Sequence, residues 1–220
     1  MKHYSVFDIV GPRMVGPSSS HTAGAVRLGR LAWKIAGRDV RKAEITLYNS
    51  FAKTGKGHGT EKAIVAGILG FKADDPKLKF SLLFALEAGV EVSVNASEED
   101  MDHPNTARLR LTDSAGNVTE VVGASIGGGN IMITEFNGMA LEFSGDYPTL
   151  IIRHTDVPGV INSVTSILAR EQVNVAFMRV FRNARSKAAC MVIETDTKPS
   201  ERTLQLIKDW SPQIMEVRAV

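Results

Sequence analysis

The stretch GPSSSHTAG at residues 16–24 concentrates side chains that can do chemistry: Ser18, Ser19, Ser20, His21 and Thr22, followed by small residues. A serine or threonine here caps a helix, and the N–H groups of its first turn are then free to bind an anion. The small residues let a ligand approach closely. His21 adds an imidazole that titrates near neutrality and can move a proton. A capping serine beside a solvent-exposed histidine is the plainer alternative.

A second cluster, SFAKTGKGHGTEKA at 50–63, holds Lys53, Thr54, Lys56, His58 and Thr60 among three glycines. It is not a P-loop, because the G-x-x-x-x-G-K-[ST] spacing is missing. It reads as a glycine-rich loop from a strand into a helix, with Thr60 as cap. Two such loops side by side would make one small polar pocket. DHPNTAR (102–108) places His103 and Asn105 around a proline, and SIGGGNI (125–131) puts three glycines before Asn130. Each of these two is also explained by tight-turn chemistry.

The elements that position these clusters fall into two patterns, with turn residues at SGDYPTL (144–150) between them. Before it, helices are expected at 23–37, 59–71 and 76–89. Strands are expected at 5–11, 42–50, 90–96, 107–113, 117–125 and 130–138, the third-last and second-last of these forming a hairpin over the SAGN turn. After it, strand 149–154, helix 161–172, strand 173–183, a polar turn at 183–187, strand 188–196, helix 199–210 and strand 212–220 give the β-α-β-β-α-β order of ferredoxin-like domains. The fold class is therefore α+β in two domains, 1–147 and 148–220.

Composition sets the outer bounds. Of 220 residues, 44% are hydrophobic and 23% charged, as in ordinary globular proteins. The net charge of +2 shows no clustered basic face, so no nucleic-acid partner is implied. No apolar run is long enough to span a bilayer, and MKHYSVFDIV lacks a signal-peptide core. No membrane partner and a cytoplasmic location are expected. The single cysteine, Cys190, can form no internal disulfide and cannot alone hold a zinc or iron–sulfur site. It reads as a buried small hydrophobe.

The run IIRHTDVPGVINSVTSILAREQVNVAFMRVFR resembles an ACT domain. That resemblance implies an amino-acid-binding loop at a subunit interface, with Asp156, Gly159 and Asn162 as its contacts, and ACT-mediated homo-association. VGPSSSHTAGAVRLG, FAKTGKGHGTEKA, DHPNTAR and SIGGGNI, in that order, are similar to the beta chains of iron–sulfur-dependent bacterial L-serine dehydratases. This second resemblance covers the whole chain and implies a two-chain enzyme that deaminates L-serine to pyruvate and ammonia. It also implies a [4Fe–4S] cluster bound by the alpha chain. His21 and His58 are then the catalytic candidates. Ser18, Ser19, Ser20, Thr22, Thr60, His103, Asn105 and Asn130 are the candidates for binding substrate or effector. A stand-alone amino-acid-binding regulatory protein is the alternative. A hydrolase built on Ser20 and His21 is disfavoured, because adjacent side chains diverge at a helix start.

Overall fold

Val26, Leu28, Leu31, Ala32 and Ile35 recur at helical spacing and wind one apolar stripe around helix α1 (Ala25–Ile35), all of it buried. The computed structural model describes residues 12–182 and 188–220. The expected strand at 5–11 and the polar turn at 183–187 lie outside the described residues. The helix expected at 23–37 is shorter than its pattern. The serine-rich stretch is itself helical, forming a π-turn (Ser19–Gly24) that feeds directly into α1.

After β1 (Val40–Leu47) comes α2 (Asn49–His58), which corrects the expected glycine-rich loop. Gly55 and Gly57 lower helix propensity by about 1 kcal/mol each, but tertiary contacts override them. Phe51 and Gly55 are buried, and backbone N–H groups of the first turn are taken by the Pro104 carbonyl, from Ser50 at 2.7 Å and Phe51 at 3.4 Å. Gly59, with φ +67°, makes the left-handed link into α3 (Thr60–Ile68). A 3₁₀ turn (Pro76–Phe80) leads into α4 (Ser81–Glu87), where a single helix was expected, and Ser81 Oγ donates to the Lys62 carbonyl of α3 at 2.7 Å. Phe80, Leu83 and Leu86 remain exposed on this segment.

The strands β2 (Glu91–Ala96), β3 (Thr106–Asp113), β4 (Val118–Gly127) and β5 (Asn130–Phe136) join β1 in the order β2-β1-β3-β4-β5. β1 and β2 are parallel, which the helical crossover α2–α4 permits, and the other neighbours are antiparallel. The expected β3–β4 hairpin forms, with the Asp113 carboxylate accepting from the N–H groups of Ala115 and Asn117.

The described residues divide into two compact units, one ending at Asn137 and the other beginning at Gly138. The second unit opens with β6 (Met139–Phe143), a short strand the sequence pattern did not isolate. Then follow β7 (Thr149–Thr155), α5 (Val160–Arg170), β8 (Val175–Arg182), β9 (Ala188–Thr195), α6 (Glu201–Trp210) and β10 (Ile214–Ala219). This is the expected β-α-β-β-α-β order, folded into an antiparallel sheet β10-β7-β9-β8. Its core joins Leu150, Ile152, Met191 and Ile193 from the sheet to Val164, Leu168 and Ile207 from the helices. Among the described residues no helix is long and apolar enough to cross a membrane.

In the first unit, α1 and α3 touch backbone to backbone. A Cβ on Gly29 would lie 2.2 Å from the Ile64 carbonyl oxygen, and one on Gly67 would lie 2.1 Å from that of Val26. Neither backbone can yield, so Gly67→Ala should cost about 1–3 kcal/mol of stability or more. Urea unfolding should show a clearly lowered midpoint, whereas Gly57→Ala, where an added methyl meets nothing within 4 Å, should leave the midpoint unchanged or raise it. An unaltered midpoint in Gly67→Ala would show that the helices do not cross this closely.

Candidate functional site

The π-turn holds His21 by both its backbone and its ring. Ser18 stands at the N-cap in an extended conformation, and its hydroxyl accepts from the His21 backbone N–H at 3.0 Å. The same Ser18 Oγ lies 3.4 Å from His21 Nδ1. On the other side of the ring, Nε2 is 2.9 Å from Thr54 Oγ1 on α2. Phe51 meets the ring edge-on at 5.1 Å, and the His58 imidazole sits 4.9 Å away, centre to centre.

The helical form of α2 explains this convergence. Ser50, Thr54 and His58 lie four residues apart and so share one stripe of the helix. Thr54 was not among the expected site residues. The i, i+4, i+8 spacing was the available signal, but it is visible only once the segment is read as a helix. His58 is exposed, and no hydrogen bond holds its ring among the described residues. Lys53 and Lys56 are also exposed on the same helix.

The DHPN loop is the support beneath α2. Asn49, with φ +47°, donates through Nδ2 to the Met101 carbonyl at 2.7 Å and more weakly to that of His103 at 3.4 Å. His103 Nδ1 accepts from the Asn105 N–H at 3.2 Å, and Asn105 Nδ2 donates to the Ser125 carbonyl at 3.4 Å. The Ser125 side chain in turn packs so tightly on Gly24 of the π-turn that no Cβ fits there. Asn130 is exposed at the start of β5 and accepts from Arg27 Nη1 of α1 at 3.4 Å. All four sequence clusters are thus linked through named contacts within the first unit.

The individual candidates occupy different depths. Ser18, Ser19, Ser20 and His21 are half-buried, as are His103 and Asn105. Thr22 and Thr60 are buried beneath the surface, against Gly16 and Gly55 respectively, and neither hydroxyl oxygen has a hydrogen-bond partner among the described residues. Ser20 and His21 form no dyad. The ring partners of His21 are Ser18 and Thr54.

Electrostatics disfavour the charged form of His21. Burial first, and the positive charge His58 can carry second, lower its pKa below the ordinary histidine value, against a raising contribution from the Ser50 carbonyl. In the second unit, Gly159 takes φ +93° immediately before α5, and Asp156 pairs with Arg182 Nε at 3.6 Å. Asn162 is exposed in the first turn of α5.

The family model described as serine dehydratase beta chain matches residues 5–83, and the ACT domain model matches residues 148–209. The chain is 41% identical over 220 residues to the probable L-serine dehydratase beta chain of Bacillus subtilis (strain 168), covering 100% of this chain and 99% of that one. It is 38% identical over 206 residues to the L-serine dehydratase beta chain of Peptoniphilus asaccharolyticus, covering 93% and 92%. A more distant similarity, 25% over 174 residues, reaches a D-3-phosphoglycerate dehydrogenase of Synechocystis, of which it covers 31%.

Because burial and His58 both push the same way, His21 should titrate below the ordinary histidine range in an NMR pH titration of the chain. His58→Ala removes the like charge and opens the site to water, so it should move the His21 midpoint upward. No move would mean that the two rings do not sense each other, and a downward move would contradict the repulsion between them.

Proposed function

Since this chain belongs to the family of L-serine dehydratase beta chains, we propose that it completes the active site of a two-chain enzyme deaminating L-serine to pyruvate and ammonia. The observation that carries this reading is the meeting of His21 and His58 at 4.9 Å on two different elements. His21 is fixed in place by Ser18 and Thr54, and its charged form is disfavoured by burial and by His58. His58 is exposed at the last residue of its helix, and in this proposal it exchanges the proton during elimination. The hydroxyls of Ser19 and Ser20, with the ammonium groups of Lys53 and Lys56, are the groups offered to the substrate carboxylate. His103, Asn105 and Asn130 hold the surrounding segments and contribute polar atoms at the rim. Thr22 and Thr60 act from beneath.

A [4Fe–4S] cluster does not fit the donors of this chain. Its one cysteine, Cys190, is buried in β9, and burial above all pushes the thiol up to about 12. Among the described residues no group of three or more His, Cys, Asp or Glu side chains comes together to hold a metal. In the proposal the cluster is therefore bound by the alpha chain, and this chain supplies imidazoles and hydroxyls. The exposed apolar residues Phe80, Leu83 and Leu86 are in keeping with a subunit of a larger assembly in the cytoplasm.

Residues 1–147 form the beta-chain domain proper in this proposal, and 148–220 the ACT domain. The ACT loop, with Asp156, Gly159 and Asn162, senses serine and supports homo-association. A purely regulatory amino-acid-binding role is the second reading. It is favoured by the match of residues 148–209 to the ACT domain model.

Reconstitution separates the two. The chain alone should be colourless and without dehydratase activity, and anaerobic mixing with the cognate alpha chain should give a brown, active complex. His58→Ala should lower turnover of that complex by about 100-fold or more, on the scale of losing an acid–base group. The unfolding midpoint should hardly change, because His58 is exposed. Dehydratase activity from this chain alone, or full turnover in the His58→Ala complex, would overturn the proposal.

A further inference from the structure

We propose that Thr54 is a positioning residue: its hydroxyl holds His21 as the tautomer that carries hydrogen on Nε2 and keeps the ring turned toward His58. The ring contacts alone fit either tautomer, and the bond from Thr54 to the Ser50 carbonyl selects one of them. Thr54 Oγ1 lies 2.8 Å from the Ser50 carbonyl oxygen, four residues back on α2, and its only hydrogen is spent there. Toward His21 Nε2, at 2.9 Å, the same oxygen can then only accept. Nε2 must therefore carry the hydrogen.

Nδ1 is left with its lone pair, and Ser18 completes the circuit. Its oxygen accepts from the His21 backbone N–H at 3.0 Å, and its hydrogen is available to Nδ1 at 3.4 Å. The ring is gripped at both nitrogens by groups on two separate elements, the π-turn and α2. Rotation of the imidazole would break both contacts. A helical threonine has two χ1 rotamers open to it, and the bond from Thr54 Oγ1 back to the Ser50 carbonyl selects one of them, which fixes the direction of the hydroxyl. It is solvent-exposed, so its replacement removes a hydrogen-bond partner without opening a cavity in the core.

The catalytic consequence rests on the reading of His21 as a site residue, and two measurements keep the questions apart. The first is long-range proton–nitrogen NMR of the imidazoles in the full chain. The native protein should show His21 with hydrogen on Nε2. Thr54→Val, which keeps the shape and removes the oxygen, should show a mixture of both tautomers, and Thr54→Ser should restore the native signature. The second is turnover of the complex with the alpha chain. Thr54→Val should lower kcat roughly 10- to 100-fold with KM little changed, the scale for losing a group that orients a reacting partner, and Thr54→Ser should recover most of it. An unchanged tautomer in Thr54→Val would overturn the proposal outright. A changed tautomer with unchanged turnover would confirm that Thr54 positions His21 and would remove His21 from the reaction instead.

Discussion

Two helix backbones in contact are the constraint on which the first unit depends. At Gly29 and Gly67 the main chains of α1 and α3 come closer than any side chain would allow. The π-turn runs without interruption into α1, and α2 runs through Gly59 into α3. Locking α1 to α3 therefore also locks the two segments that precede them. His21 and His58 sit on those two segments, and their rings meet because the helices behind them cannot slide apart. A close-packed interior has few alternative arrangements, so such a contact works as a jig for polar groups at its edge.

Around that jig the polar groups mostly serve one another. The Pro104 carbonyl caps α2, Asn49 ties its first residue to the 101–103 loop, and Asn105 ties the loop to β4. These bonds support the helix that brings Thr54 and His58 to His21. The proposed division of labour with a second chain rests on the same inventory. Imidazoles, hydroxyls and ammonium groups abound here, and thiolates do not. Cys190 belongs to the core of the second unit, where burial keeps its thiol protonated.

The second unit was the more legible in sequence. Its strands are rich in apolar residues, its helices carry a clear apolar stripe, and Ser200 caps α6 as its type suggests, accepting from the Thr203 N–H. Only β6 escaped notice, being five residues long with a weak alternation. In the first unit the residue types of the site were legible, but the conformation that unites them was not. Residues 55–59 contain three glycines and read as a loop on propensity alone. What makes α2 a helix is non-local: burial of Phe51 and a cap donated from residue 104. Because propensity hides the helix, it also hides the stripe Ser50–Thr54–His58 and the contact of Thr54 with His21. The depth of Thr22 and Thr60 was likewise invisible, since it depends on glycines packing from above.

The central claim is that His21 and His58 act as one device rather than as two independent neighbours. A double-mutant cycle on turnover of the assembled enzyme tests it most directly, comparing His21→Ala and His58→Ala with the double variant. Groups that act as a unit give effects that do not multiply, so the double variant should be little slower than the more damaging single one. Two losses that multiply in full would contradict the account, since each histidine would then be working alone.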